Sequence, residues 1–142
     1  MSVKKVGNFG MVAMSVISGI AVCAFVLSYN SLVGLAIENG IDSMVAPLFP
    51  LTIDGLIIAS AIGRLKYSLE GEPYLIGTCV MGFATVTSVG LNIAHADTTL
   101  LSQIVFSVPP IVLFVGSEMV LGMIQKHIEK TCKKRVKKTP SV

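Results

Sequence analysis

Apolar residues in this chain fall into four long runs, each closed by a short polar segment. Residues 6–37 contain no charged side chain. A membrane-spanning helix needs about 20 mostly apolar residues, so this run exceeds one span. Tyr29-Asn30-Ser31 is its polar break. A first span is predicted over residues 9–29, with residues 31–38 as a short helical extension at the membrane surface, ended by Gly40. The following runs predict spans over residues 44–63, 74–94 and 100–124. The second contains Pro47, Pro50 and Asp54, and the fourth contains Pro109, Pro110 and Glu118. Proline is tolerated inside a spanning helix because neighbouring groups re-satisfy the freed carbonyls. The first run is too long for the apolar region of a cleaved signal peptide, so it is expected to be retained.

Composition agrees with this pattern. Hydrophobic residues make up 53% and charged residues 13%, about half the share in a soluble domain. Mean hydropathy is +0.80. The absence of tryptophan and the 6% aromatic content argue against a base-stacking surface. The expected fold is all-α: an integral membrane, antiparallel four-helix bundle over residues 1–125, followed by a basic tail over residues 126–142.

Charge placement orients this bundle. Lys4 and Lys5 precede the first span, Arg64 and Lys66 follow the second, and Lys126, Lys130, Lys133, Lys134, Arg135, Lys137 and Lys138 follow the fourth. With four spans, all 11 basic residues fall on one side. Cytoplasmic segments carry the Lys/Arg excess, so both termini are expected in the cytoplasm and the protein in the cell membrane. Lys130, Lys133, Lys134, Arg135, Lys137 and Lys138 are expected to contact anionic lipid, each worth about 1 kcal/mol near the surface. Nucleic acid would be held there only through phosphate, without sequence readout. Cys23 and Cys79 lie in spans and Cys132 in the tail, with no metal-ligand spacing. No metal, cofactor or disulfide is expected.

Candidate chemistry therefore reduces to the polar residues inside the spans. An intramembrane acid costs a few kcal/mol on insertion scales and is a functional-site candidate by default. At 1.5 Å per residue, Asp54 lies about 15 Å from Arg64 and Glu118 about 12 Å from Lys126. The two acids thus fall at similar depth, where, facing each other, they could relay protons or hold a cation. The alternative is that each locks helix packing. Ser88, Asn92 and His95 share one face of the third helix. Ser88 or Asn92 could donate to the carbonyls of Val105 and Phe106 that Pro109 and Pro110 free; alternatively Asn92, His95 and Asp54 would line an outward-facing polar pocket. Gly55, Ala59 and Gly63 form a small-residue seam for close helix approach, and Ser15, Gly19 and Cys23 form a similar one. No catalytic set is visible.

Pro50-Leu51-Thr52-Ile53-Asp54-Gly55, followed by Ala59-Ser60-Ala61, resembles an actinobacterial family of four-span membrane proteins formally of unknown function. That family includes the plasmid spread proteins of Streptomyces and members carried by phages. The stretch from Ser88 through Asn92 to His95, the Pro109-Pro110 pair and Glu118 match it in order. The family's tryptophans near the second span are absent here. The resemblance implies a non-enzymatic role in spread of conjugative DNA, with the DNA-transfer machinery or a second copy of the chain as partner. Two other classes stay open: a small proton- or cation-conducting protein using Asp54 and Glu118, and a phage superinfection-exclusion protein.

Overall fold

The computed structural model describes the backbone of residues 3–136 and the side chains of residues 10–131. The described chain is all-helical: α1 (Val3–Glu38), α2 (Leu48–Glu70), α3 (Leu75–His95) and α4 (Leu100–Val136). All four are long and apolar enough to cross a membrane, consistent with a multi-pass membrane protein. They form a helical bundle in which α1 packs most extensively on α4, and α2 on α3.

Three of the helices, α1, α2 and α4, run past the C-terminal ends of the apolar segments that predict them. α1 continues unbroken through Tyr29-Asn30-Ser31, and Ser28, Ser31 and Leu32 are buried there. Of the three residues read as a break, Ser31 faces the bundle, Tyr29 is half-buried and Asn30 is exposed. α2 begins at Leu48, after a turn over residues 43–47 in which the Met44 amide donates to Asp42 Oδ1 at 2.8 Å. Pro50 therefore sits in the first helical turn, where no intrahelical donor is required. α2 then runs past Gly63 to Glu70, so Arg64 and Lys66 are helical residues and not loop residues. Its end is set by Gly71 at φ 80°, whose amide reaches Ser68 O while that of Glu72 reaches Tyr67 O. Glycine adopts this left-handed closing conformation without a Cβ penalty.

The surface and the interior are arranged inside out. Val12, Phe83, Val86 and Leu101 are all more than half exposed, whereas Ser28, Asp54, Ser88 and Asn92 are fully buried. In lipid, apolar side chains gain nothing by facing inward, and helices associate through close packing and interhelical hydrogen bonds. An apolar cluster of Ile57, Ala61, Met81 and Ala84, flanked by Phe114 and Leu121, joins α2, α3 and α4.

Candidate functional site

The buried polar side chains of α1, α2 and α3 meet in one hydrogen-bonded cluster. α2 turns Pro50, Asp54, Ile57 and Ala61 inward, a helical repeat that places Asp54 among its most buried residues. α3 turns Ser88 and Asn92 to the same interior, and α1 brings Ser28 and Ser31. The Ser88 hydroxyl donates to Asp54 Oδ1 at 2.6 Å. Ser28 Oγ lies 3.4 Å from Ser88 Oγ. Asn92 Nδ2 donates to Ser28 Oγ at 3.1 Å and to the Ser88 carbonyl at 2.8 Å.

With the Asp54 carboxylate ionised, these bonds have one direction. A hydroxyl carries a single proton, and that of Ser88 is committed to Asp54. The Ser28 hydroxyl is therefore the donor to Ser88. Donation runs from Asn92 to Ser28, from Ser28 to Ser88, and from Ser88 to Asp54. Chained hydrogen bonds polarise one another in a low-dielectric interior, and here the polarisation converges on the carboxyl group. Three buried oxygens have no hydrogen-bond partner among the described residues: Asp54 Oδ2, Asn92 Oδ1 and Ser31 Oγ.

Glu118 lies elsewhere in the partner network. It pairs with the Arg64 guanidinium, with both side chains about one-third exposed. Arg64 also contacts Met81 Sδ at 3.4 Å. A cavity of about 380 Å³ opens beside this pair, with Tyr74, Thr78 and Gln125 among its lining residues. Of the two readings of Asp54 and Glu118, facing each other or each locking helix packing, their partners match the second: one acid is held by a serine, the other by an arginine. The reason is the length of α2, which carries Arg64 inside the bundle to reach Glu118.

His95 departs from the polar pocket expected for it. Its Nδ1 lies 3.1 Å from Glu38 Oε2, and its ring stands edge-on to Phe106. Gly34 permits this placement, since a Cβ there would meet the imidazole at 2.8 Å. Ser88 and Asn92 also do not serve the carbonyls freed by Pro109 and Pro110, because their donors are spent on Asp54, Ser28 and the Ser88 carbonyl. Pro110 is buried within an uninterrupted α4.

The expected small-residue seams are likewise corrected. Ala59 is exposed and a Cβ on Gly55 would meet nothing within 4 Å. Gly63 alone of that trio makes a close approach, to Tyr74 of the α2–α3 connection, whose ring stacks on Tyr67 at 4.4 Å. Ser15, Gly19 and Cys23 are exposed on α1; close approach of α1 to α4 occurs instead where Gly116 meets Ala21. Inward-facing positions on these helices are set by the polar cluster, which turns the seams outward. Lys130 is exposed on α4. The side chains of Lys133, Lys134 and Arg135, and the whole of Lys137 and Lys138, lie outside the described residues. Among the described residues no group of three or more His, Cys, Asp or Glu could hold a metal ion.

Sequence reasoning selected Asp54, Ser88 and Asn92 but missed Ser28 and Ser31. Their signal was present: both are separated by a helical turn from Leu32 and Leu35 on the one buried stripe of α1.

The family model described as "Protein of unknown function (DUF2637)" matches residues 11–142. This is nearly the whole chain, and the chain belongs to that uncharacterised family. No curated protein and no solved structure matches it.

Proposed function

With membership of that family as premise, we propose that the chain is a non-enzymatic component of a mobile element, plasmid or phage, of actinobacterial type. It works in the cell membrane, aiding conjugal DNA spread or acting at the envelope. In this reading the four helices are antiparallel and both termini are cytoplasmic. The basic tail meets anionic lipid and the phosphates of transferred DNA or its machinery.

One observation carries the reading. Asp54, Ser88 and Asn92, the residues through which the chain resembles the plasmid spread proteins, are spent on one another and on Ser28 in a closed interior. Side chains committed in this way serve cohesion of a membrane bundle rather than turnover of a dissolved substrate. The placement of Arg64 and Lys66 late in α2, and of Lys126 and Lys130 late in α4, supports a shared basic side and hence the orientation.

Deleting the gene from its element should reduce spread of the element through recipient cells, and the wild-type gene supplied in trans should restore it. Unchanged spread after deletion contradicts the proposal. Reporter fusions at Glu38, Gly71, Asp97 and Val142 should read outside, inside, outside and inside. An outside signal at Val142 contradicts the topology.

A further inference from the structure

The cavity beside the Arg64–Glu118 pair, about 380 Å³, falls in the size range of small-ligand sites, about 300–1,000 Å³. The last turns of α2, the first turn of α3 and the Glu118–Gln125 stretch of α4 enclose it. Its wall carries both signs of charge.

The positive side is Arg64 with the start of α3. A Cβ on Gly77, in that first turn, would lie 3.3 Å from Cγ of Arg64. Only Nη1 of Arg64 is engaged among the described residues, by Glu118 and by Met81 Sδ, and a guanidinium carries five N–H donors. α3 starts with no side-chain cap and no acidic residue in its first turn, so its leading amides lack the partners that a cap supplies. A helix start of this kind attracts phosphate, and its Leu75 and Thr78 line the cavity. The negative side is Glu118 with Glu72. Glu72 is exposed and makes no ion pair among the described residues. Two carboxylates against one guanidinium leave a negative charge on the wall for a ligand's cation to answer.

A ligand that meets both sides joins a phosphate to an ammonium. Leu65, Leu75 and Leu121 share the wall, and Leu75 and its neighbour Ile76 are more than 70% exposed, an apolar surface on which acyl chains can lie. A primary ammonium brings three N–H donors to the two carboxylates. A quaternary one brings none and relies on aromatic faces, whereas one face of Tyr74 is already taken by Tyr67. We propose that this cavity holds the headgroup of an aminophospholipid, its phosphate on Arg64 and the start of α3 and its primary ammonium on Glu72 and Glu118. The site uses no member of the Asp54 cluster and stands whether or not the chain serves DNA spread.

The test titrates the full-length protein in detergent with phosphatidylethanolamine, phosphatidylcholine or phosphatidylglycerol of identical chains, and counts retained lipid by native mass spectrometry. One phosphatidylethanolamine should be retained, about tenfold more tightly than either other lipid, as expected for one charge-assisted hydrogen bond. Glu72→Gln should bind phosphatidylethanolamine about fivefold more weakly, with no weakening for phosphatidylglycerol. Gly122 lines the cavity, and a Cβ there meets nothing within 4 Å, so Gly122→Leu fills the space while both charges stay and should abolish retention. Soluble glycerophosphoethanolamine in tenfold excess should leave the lipid bound. Equal retention of the three lipids, or a Glu72→Gln protein that binds phosphatidylethanolamine as wild type does, overturns the headgroup assignment. Undiminished retention by Gly122→Leu overturns the location. Displacement by glycerophosphoethanolamine overturns the lipid as source and leaves a free phosphodiester amine as the ligand.

Discussion

Asp54 and Glu118 are both acids on long apolar helices, and the bundle treats them differently. Asp54 sits near the start of α2, fully buried, and its described contact is a serine hydroxyl. Glu118 sits beside the late turns of α2, about one-third exposed, against a guanidinium and an open cavity. At the Glu118 end, charge meets charge next to a space that other molecules can enter. At the Asp54 end, neutral donors from α1 and α3 are drawn toward one carboxyl group on α2. The difference teaches that hydrophobic context alone does not set the role of an intramembrane acid; the residues that the neighbouring helices bring to it do.

The comparison breaks most sharply with leucine at Asp54. Asp54→Leu strands the Ser88 hydroxyl and removes the end of the donor chain, and should cost about 1–2 kcal/mol in steric-trapping unfolding measurements. Asp54→Asn keeps an acceptor and should cost less. Equal costs for Leu and Asn would mean that Ser88 contributes nothing through this bond. One step back, Ser28→Ala removes the α1 hydroxyl that lies between the Asn92 amide and the Ser88 hydroxyl and should cost about 1 kcal/mol. A neutral result would show that Asn92 finds its partners without α1.

The other end should be more forgiving. A double-mutant cycle with Arg64→Ala and Glu118→Ala should give a coupling of about 0.2–1 kcal/mol, because partial exposure screens the pair. A coupling above that of the Ser88–Asp54 contact would invert the ranking of the two ends. Ser15→Ala sets the floor. Its hydroxyl bonds only to the Met11 carbonyl on the exposed face of α1, and loss of it should leave unfolding within about 0.5 kcal/mol of wild type.

Four helices were legible in the sequence because uninterrupted apolar runs of this length have little other use. Their ends were less so. Arg64 read as a loop residue because charge was taken to end the span, whereas its stem passes Gly77 and its guanidinium meets both Met81 Sδ and Glu118. Asp54, Ser88 and Asn92 stood out because polar groups are rare in such surroundings. Ser28 did not, since one hydroxyl in a span ordinarily bonds its own helix, as Ser15 does; its partner lies 60 residues away, beyond any spacing rule. The same limit hid the seat of His95 on Gly34. The seams at Gly55-Ala59-Gly63 and Ser15-Gly19-Cys23 misled because small residues permit close approach without requiring it.

α4 has a mechanical side. From Glu118 to Val136 it continues as helix, a length of about 27 Å at 1.5 Å per residue. Below that stretch the shaft is gripped by Arg64 at Glu118 and, near Gly116, by Ala21 of α1. A rod clamped near one point and loaded at its far end behaves as a lever. A partner that pulls on the tail sideways thus exerts torque at the Arg64–Glu118 fulcrum, and the motion delivered there is smaller than that of the tip but larger in force. The part of the chain best placed to sense a pull on the tail is therefore this arginine and glutamate pair, while the serine, asparagine and aspartate cluster is reached from it along α2 and, through Met81, along α3.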